Sequence, residues 1–201
     1  MICILDLAIL YRKIKFMNVQ ENIHYSDVAR LLIDKKIVAL FQGRSESGPR
    51  ALGNRSMLYT PMDPDGKNFV NKVKGREYFR PLAASMLLEH ANDWFDMIGV
   101  EESPYMTFSF TCKEDKKHII PSVIHVDGSC RIQTVTKEQN LHYYNLIRAF
   151  NLMTGVPMIL NTSLNLAGEP LVETIDDAFK TLVKSDIQYL YLPELDILVS
   201  K

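Results

Sequence analysis

The sequence predicts an α/β domain built on a mixed β-sheet, and three observations support this prediction. Short apolar runs of strand length alternate with segments whose apolar residues recur at helical spacing. A chain that is 47% hydrophobic and 23% charged has the composition of a globular protein with a full core. The 201 residues contain no internal repeat, low-complexity linker or evident boundary, which indicates one large domain.

In the first half of the chain the two element types alternate. A helix is predicted over His24–Lys36 from its apolar spacing, with Ser26 as the N-cap, and the continuous apolar run Ile37–Phe41 indicates a buried strand. The remaining elements of this half are a strand at Ser56–Thr60, a helix at Lys67–Lys74 after the turn Asp63–Gly66, a strand at Ala83–Leu88, and a helix at Glu89–Met97 that places Trp94 and Phe95 in the core.

In the second half, Tyr105–Cys112 alternates polar and apolar residues with the period of a strand, and Ser122–Val126 is a further strand. The amphipathic segment Thr136–Met153 predicts a long helix that ends at Gly155. Its predicted buried side carries Leu141, Tyr144, Ile147, Leu152 and Met153. The remaining elements are a strand at Val156–Leu160, a helix at Ile175–Lys184 capped by Thr174, and closing strands at Gln188–Leu192 and Asp196–Ser200.

Net charge, cysteine positions and the N-terminal residues indicate which partners and which cellular compartment to expect. A net charge of −1 argues against a general nucleic-acid binder, so no nucleic-acid partner is expected. Cys3, Cys112 and Cys130 are far apart, which fits a reducing compartment and thiols that act as small core or surface residues. The apolar start Met1–Leu10 is too short to span a bilayer and has no basic segment before it, so we expect a cytoplasmic protein without a membrane partner. We predict a peripheral segment at residues 1–22 and the domain proper at residues 23–201.

Basic charge is concentrated in the stretch Phe41–Pro81. Between Gln42 and Arg80, eight basic residues stand against four acidic ones, whereas the whole chain carries −1. These charges alternate with glycine, proline and other turn residues and do not follow one helical face. The pattern predicts a pocket for a small, strongly anionic ligand, and a solvated basic surface is the alternative.

Two polar clusters carry most of this charge. Gly43–Ser56 combines arginines with glycines whose backbone N–H groups can approach an anion, and its Glu46 either orients one arginine or forms a structural ion pair. The cluster matches neither a Walker A loop nor the dinucleotide fingerprint GxGxxG. Lys74 and Arg76 are two residues apart and would share one side of an extended segment, with Arg80 four residues on. Together these cations could neutralise a di- or triphosphate, or they form a solvated helix end.

Two further clusters add polar groups. In one, an Asp-Gly turn presents Arg131 after a strand, and His125 is interpreted as a structural histidine in preference to a ligand. In the other, Ser163 and Asn165 share a face if the chain is extended, although a capped turn is the alternative. No residues have metal-ligand spacing, and there is no nucleophile elbow. Such a site would act by charge neutralisation and positioning, as phosphoryl- and nucleotidyl-transfer sites do.

These clusters resemble those of a known family, the nodulation-protein-U type O-carbamoyltransferases, which include antibiotic carbamoyltransferases. The resemblance is to the C-terminal domain and is carried, in order and spacing, by QGRSESGPRALGNRS, NKVKGREYFRP, HVDGSCRIQTV and NTSLNLAGEPLV. It extends from about Ser26 to Val199. It implies a YrdC-like fold, a twisted open mixed sheet with helices packed around it and a deep basic cavity. Threonylcarbamoyl-adenylate synthases are similar, and their Lys-x-Arg and Ser-x-Asn signatures match Lys74–Arg76 and Ser163–Asn165.

The resemblance also implies a reaction. Carbamoyl phosphate is cleaved to carbamate, which attacks the α-phosphorus of ATP to give carbamoyl-adenylate and pyrophosphate, with Mg²⁺ on the phosphates. A second, metal-bearing domain then moves the carbamoyl group to an acceptor hydroxyl. Catalytic roles are thereby assigned to Lys74, Arg80 and Arg131. Substrate or nucleotide binding is assigned to Arg44, Arg50, Arg55, Arg76, Ser163 and Asn165, and no protein metal ligand is assigned.

The chain departs from the family pattern at two places. It reads Arg-Pro-Leu-Ala-Ala at Arg80–Ala84 where the family has Arg-Pro-Phe-Ala-Pro, which we interpret as a packing change. The segment Met1–Asn22 is too short to supply the family's N-terminal transferase domain, so a separate transferase-domain partner chain is expected, and a degenerate or truncated half of the enzyme is the alternative. The leading hypothesis is a carbamoyl-adenylate-forming enzyme that uses carbamoyl phosphate and ATP. A threonylcarbamoyl-adenylate synthase for tRNA modification and a non-catalytic nucleotide- or RNA-binding module are the alternatives.

Overall fold

Ten strands form one sheet in residues 17–201, the part of the chain that the computed structural model describes. In chain order, strands β1 to β10 are Asn18–Gln20, Val38–Phe41, Arg55–Tyr59, Ala83–Leu87, Phe95–Asp96, Ser109–Cys112, Ser129–Val135, Met158–Ser163, Tyr189–Leu192 and Ile197–Ser200. Helices α1 to α5 are Tyr25–Ile33, Gly66–Val73, Ala91–Trp94, Leu141–Thr154 and Ile175–Lys184.

The sheet is open and mixed, as predicted. Its strands lie in the order β1-β10-β9-β2-β3-β8-β4-β7-β6-β5. The pairs β2–β9 and β4–β7 are parallel, and the other neighbouring pairs are antiparallel. Helix α4 packs on α1 and contacts β4 and β8, while α5 contacts β2 and β9. Strands β2, β3 and β4 are buried along their whole length, which explains why they read as continuous apolar or near-apolar runs.

Strand direction brings four loops to one end of this sheet. Asn161 on β8 lies opposite Ala83, the first residue of β4, and Ser163 lies opposite Ser56 near the start of β3. In an antiparallel pair the end of one strand meets the start of the other. Strand β7 runs parallel to β4, so Arg131 near its start lies at the same end. The loops before β3 and β4, the start of β7 and the segment after β8 therefore meet.

Of the two predicted helix caps, one is confirmed and one is wrong. The hydroxyl of Thr174 accepts a hydrogen bond from the backbone N–H of Asp177 at 3.2 Å and caps α5 as predicted. Helix α1 is capped at His24 and not at Ser26. The carboxylate of Asp27 accepts from the backbone N–H of His24 at 2.9 Å, so an acid in the first turn supplies the capping bond.

Helix α4 starts later than predicted. The side chain of Asn140 accepts from the backbone N–H of Tyr143 at 3.1 Å, which fixes the N-terminus and makes the predicted start at Thr136 wrong. Gly155, in the left-handed region with φ of 74°, ends the helix as predicted. The buried stripe consists of Tyr143, Tyr144, Leu146, Ile147 and Phe150. Each residue turns the helix by about 100°, so residues outside this stripe face solvent. The core assignments of Leu141, Leu152 and Met153 are therefore wrong, since these three side chains are exposed.

The strand predicted over Ser122–Val126 is also wrong. This segment forms a turn, in which the backbone N–H of His125 donates to the carbonyl oxygen of Ser129 at 2.7 Å. The strand follows the turn as β7 and contains Arg131, which the sequence had placed beyond a strand.

Two elements between residues 89 and 112 are shorter than predicted. The strand expected from Tyr105 begins only at Ser109, because Met106 adopts a φ of 54° in the left-handed region and interrupts the extended chain. The helix expected over Glu89–Met97 is divided into a 3₁₀ turn at Leu88–His90, helix α3 and strand β5. Trp94 and Phe95 are nevertheless buried as predicted.

The edge strand β1 carries no sequence signal, yet it pairs antiparallel with β10. The expectations for Met1–Leu10 and Cys3 fall in residues 1–16, outside the described part, and the domain boundary at residue 22 stays a prediction.

Cys112 and Cys130 are buried free thiols in the core, as expected, and burial raises the pKa of Cys112 to about 11. None of the helices in residues 17–201, the longest of which has 14 residues, combines the length and apolar character that a bilayer crossing requires.

Candidate functional site

Two adjoining hollows open where the four loops meet. The inner hollow has a volume of about 100 Å³, and the outer hollow has a volume of about 460 Å³. The inner hollow is smaller than the usual site for a drug-sized ligand and fits only a small group. The outer one has the size of a small-molecule site. The inner hollow is defined by Arg50, Ala51, Arg131 and Asn161, the outer hollow by Lys74, Arg80, Asn165 and Gly168, and Arg76 and Ser163 line both.

Basic side chains face one another across these hollows. Burial lowers the pKa of Arg76, and the nearby Arg80 and Arg131 lower it further. Burial and Arg50 likewise lower the pKa of Arg131. Such mutual effects arise only between charges that are close together, and an anion placed between them would relieve the repulsion. The sequence-predicted convergence of cations is thus found in the structure.

One acidic side chain, Glu77, is among the residues that line the outer hollow. Its Oε2 lies 2.8 Å from Nε of Arg80, and both side chains are about half exposed. A surface ion pair of this kind contributes little to stability and is readily exchanged for another anion. Arg80 can therefore leave Glu77 for a ligand phosphate, and the hollows keep a net positive charge.

Lys74 is the most enclosed of these cations, with 3% of its surface exposed. Its Nζ lies within hydrogen-bonding distance of the hydroxyl and carbonyl oxygens of Ser163, and lies 3.0 Å from both the carbonyl oxygen and Oδ1 of Asn165. Burial, and then the nearby Arg76, lower the pKa of Lys74 to about 7. The four oxygen acceptors favour the ammonium form, so Lys74 combines a readily titrated charge with a fixed position.

The local backbone around Lys74 differs from the extended segment that the sequence predicts. Lys74 is the C-cap of α2 with helical dihedral angles, and Gly75 then adopts a φ of 67°. This left-handed residue, which favours glycine, turns the chain so that Arg76 also reaches the hollow. The carbonyl oxygen of Lys74 accepts from the backbone N–H of Ala167 at 2.9 Å, which joins this loop to the segment after β8.

Ser163 and Asn165 lie together, but they do not share one extended face: Ser163 is the last residue of β8, and Asn165 lies in the turn that follows it. The backbone N–H of Asn165 donates to the carbonyl oxygen of Ser163 at 3.1 Å. The Ser163 hydroxyl donates to Oδ1 of Asn165 at 2.6 Å, and Nδ2 of Asn165 donates to the carbonyl oxygen of Glu169 at 2.7 Å. These bonds fix both side chains against Lys74 at the border of the two hollows.

His125 holds the start of β7 in place, in agreement with its structural interpretation. Its Nε2 lies 3.1 Å from the carbonyl oxygen of Leu82, which can only accept, and its Nδ1 lies 3.3 Å from Oγ of Ser129. The ring thus connects the turn before β7 with the segment before β4. It positions Arg131 without lining either hollow.

Glu46 orders the first cluster through backbone contacts and not by orienting an arginine. Its Oε1 accepts from the backbone N–H groups of Leu52 at 2.8 Å and Asn54 at 2.7 Å. The loop closed in this way carries Arg50 to the inner hollow. Arg44 lies in the same loop but is exposed and lines neither hollow.

Arg55 also lies away from both hollows. Its guanidinium is buried and donates to the carbonyl oxygens of Gln42 at 2.6 Å, Gly43 at 3.2 Å and Glu173 at 3.0 Å. It stacks on the ring of Phe41, with the guanidinium carbon 3.6 Å from the ring centroid. Through these contacts, Arg55 connects the loop after β2 with the segment before α5 and has a structural role. The structure does not bring it to the predicted anion site.

Sequence reasoning missed several residues that line the inner hollow, among them Asn161 and Met106. Residues two apart on a strand point to the same side, so Asn161 shares its face of β8 with Ser163, and this spacing could have identified it. The left-handed conformation of Met106 had no such signal in the sequence.

No group of three or more histidine, cysteine, aspartate or glutamate side chains in residues 17–201 could hold a metal ion. The hollows offer guanidinium, ammonium, hydroxyl and amide groups instead. Such donors suit phosphate and carboxylate oxygens, so the arrangement can bind and neutralise a polyanion.

Comparison with known proteins gives a family and a fold. The family model described as "Carbamoyltransferase C-terminus" matches residues 29–201. The nodulation protein NolNO of Sinorhizobium fredii (strain NBRC 101917 / NGR234) is 42% identical over 167 residues, which cover 82% of this chain and 25% of that protein. The chain thus spans about a quarter of the length of this relative.

Two solved structures share the fold at low sequence identity. Full-length HypF in its phosphate- and nucleotide-bound form superposes with a TM-score of 0.55 and 19% identity, over 90% of this chain and 22% of that one. Sua5 of P. abyssi complexed with L-threonine gives a TM-score of 0.57 and 15% identity, over 84% of this chain and 46% of that one. These likenesses confirm the predicted YrdC-like fold. By the match over residues 29–201, this chain belongs to the family of carbamoyltransferase C-terminal domains.

Proposed function

We propose that this domain forms carbamoyl-adenylate from carbamoyl phosphate and ATP, the activating half-reaction of an O-carbamoyltransferase. The observation that carries the proposal is the convergence of cations on a small hollow and a larger hollow that share a border. The five side chains are Arg50, Lys74, Arg76, Arg80 and Arg131. Membership in the carbamoyltransferase family and the fold shared with a phosphate- and nucleotide-bound HypF support it.

The sizes of the hollows suggest how the substrates divide. The inner hollow has room for the carbamoyl group and is flanked by Arg50 and Arg131. The outer hollow, with Lys74 and Arg80, has room for more of a nucleotide. The border residues Arg76 and Ser163 then lie where the two substrates must react, next to the α-phosphate.

The proposed reaction proceeds in two steps. Water cleaves the acyl phosphate and releases carbamate and inorganic phosphate. A carbamate oxygen then attacks the α-phosphorus of ATP, the bond to the bridging oxygen of the β-phosphate breaks, and pyrophosphate leaves with the electron pair. Both steps gather negative charge, so fixed cations lower their barriers. A confined inner hollow also keeps water from the short-lived carbamate.

Mg²⁺ belongs to the ATP substrate in this proposal. A magnesium ion commonly keeps several waters and binds through substrate phosphates with only one or two protein carboxylates. Glu77 lies at the outer hollow and could contribute one such carboxylate. We propose that a separate transferase unit, with its own metal site, passes the carbamoyl group to the acceptor, and that the reaction takes place in the cytoplasm.

The reaction is tested by exchange of radiolabelled pyrophosphate into ATP. We expect exchange with the full 201-residue chain only when carbamoyl phosphate is present, because the return of pyrophosphate requires the adenylate. Omission of carbamoyl phosphate and its replacement by inorganic phosphate are the controls. A folded protein that supports no exchange under any of these conditions contradicts the proposal.

The same assay separates two further candidates. Exchange that depends on threonine and bicarbonate would indicate a threonylcarbamoyl-adenylate synthase, a reading favoured by the fold shared with threonine-bound Sua5. ATP binding without exchange in either mixture would indicate a nucleotide-binding module without turnover.

A further inference from the structure

Three residues that line the inner hollow carry buried hydrogen-bonding atoms without a protein partner, and these include both donors and an acceptor. Within residues 17–201, the buried side-chain atoms without a partner include Nε of Arg76, Nε of Arg131 and Oδ1 of Asn161, and all three residues line this hollow. Buried polar atoms are almost always paired, so these three atoms need partners from outside the protein, which ordered water or a bound ligand supplies. The two Nε atoms require acceptors from that ligand, whereas Oδ1 requires a donor.

The orientation of the Asn161 amide is fixed by its surroundings. Its Nδ2 donates to the carbonyl oxygen of Ala51 at 3.0 Å, and a carbonyl oxygen can only accept. Nδ2 also donates to Oγ of Ser85 at 2.9 Å, and that hydroxyl donates onward to Oε1 of Gln133 at 2.6 Å. Gln133 is fixed in turn, because its Nε2 donates to the carbonyl oxygen of Leu52 at 2.9 Å. An amide flip would bring two oxygens together, so the unpaired atom of Asn161 is an acceptor.

Two other acceptors around the inner hollow are already engaged. The Ser163 hydroxyl donates to Asn165 and lies near the Lys74 ammonium, and the carbonyl oxygen of Ala51 accepts from Asn161. Asn161 itself is 1% exposed and lies on a fully hydrogen-bonded sheet, so its position is rigid. A ligand that carries only acceptor oxygens satisfies the arginines but leaves Oδ1 unpaired. A ligand with an N–H group beside its acceptor oxygens satisfies all three atoms.

We propose that Oδ1 of Asn161 accepts a hydrogen bond from the amino group of the carbamoyl moiety and thereby selects carbamoyl phosphate over other acyl phosphates. This inference rests on the proposed function, whose substrate choice it explains. Sites built to bond a substrate N–H discriminate strongly against an analogue that lacks it, because a buried group is then left unpaired. The isosteric acetyl group, with a methyl in place of the amino group, is the relevant competitor.

Two stable phosphonates make the test independent of hydrolysis. Phosphonoacetamide carries the carbamoyl amino group, and acetonylphosphonate carries a methyl group in its place. Their affinities for the full chain are measured by calorimetry. We expect the wild-type protein to bind the amide about tenfold more tightly than the ketone, the usual cost of one unpaired buried polar group.

The Asn161→Leu variant removes the acceptor at nearly constant volume. It is expected to bind the two phosphonates with equal affinity, mainly through weaker binding of the amide. Because the change also removes the Nδ2 donor, Ser85→Ala serves as a matched control. Ser85 supports the same buried network, does not line the hollow, and leaves Oδ1 in place, so this variant should keep the preference.

The possible outcomes separate the inference from the proposed function. Equal binding of the two phosphonates by the wild-type protein, or a preference that survives in Asn161→Leu, overturns the role of Asn161 while the anion site stands. Loss of the preference in Ser85→Ala as well as in Asn161→Leu assigns it to the network and also overturns that role. If neither phosphonate binds the wild-type protein, the proposed function fails and the inference with it. Equal binding of the two phosphonates by the wild-type protein overturns the inference even if the Asn161 variant does not fold.

Discussion

Replacement of Lys74 by methionine is expected to lower the rate of carbamoyl-phosphate-dependent pyrophosphate exchange by about a hundredfold or more, the usual loss on removing one transition-state donor. The Lys74 ammonium is buried, lies within 3.0 Å of Asn165, and is next to the border residue Ser163. Methionine keeps most of the side-chain volume but removes the charge. The measurement is the initial exchange rate at saturating ATP.

Lys72→Met provides the control for Lys74→Met. Lys72 lies on the same helix, is exposed and lines neither hollow, so its loss should leave the exchange rate close to that of the wild type. Circular dichroism and thermal unfolding show whether both variants are folded. A folded Lys74→Met protein with wild-type exchange would remove Lys74 from the site.

Replacement of Arg131 by methionine should weaken binding of phosphonoacetamide about 10- to 100-fold, the range for hydrogen bonds to a charged group. Arg131 lines the inner hollow and its buried Nε has no protein partner, so the variant loses a donor that is available to a ligand. Because Arg131 does not line the outer hollow, ATP affinity should change much less. Calorimetric titration with each ligand separates the two effects.

Arg148→Met is the matched control for Arg131, since Arg148 is an exposed arginine on α4 that lines neither hollow. It should bind both ligands as the wild type does. Equal losses of phosphonoacetamide and ATP affinity in Arg131→Met would contradict the division of substrates between the hollows. Unchanged affinity for both would exclude Arg131 from anion binding.

Much of the fold could be predicted because local signals and tertiary packing agree. The apolar runs of β2, β8 and β9 and the Thr174 cap determine their elements almost unaided. Two strands, β1 and β5, have only three and two residues, which is too short for any periodicity to show. The segment Ser122–Val126 has a β-forming composition, yet the hydrogen bond from His125 to Ser129 closes it into a turn. In this segment, the turn that precedes β7 overrides the intrinsic preference of the residues for a β-strand.

The sequence predicted correctly that cations gather in these loops, but it did not predict which arginine side chains point into the hollows. Glycine and proline among the basic residues correctly indicated loops that gather cations. The predicted cluster Gly43–Ser56, however, contains Arg50, which lines the inner hollow, Arg44, which is exposed, and Arg55 at the start of β3, which donates to backbone carbonyl oxygens. Three identical side chains differ only in their place relative to β3, and no composition rule separates them. The unpaired oxygen of Asn161 likewise appears only when the whole buried network is traced.

A crystal structure with 5′-O-(N-carbamoylsulfamoyl)adenosine, a stable analogue of carbamoyl-adenylate, shows whether the two hollows form one continuous site for a carbamoyl group and a nucleotide. We predict its carbamoyl group beside Arg131 and Asn161, its sulfonyl oxygens near Arg76 and Ser163, and its adenosine in the outer hollow. An analogue bound elsewhere on the domain, or one with its adenosine in the inner hollow, would contradict the account.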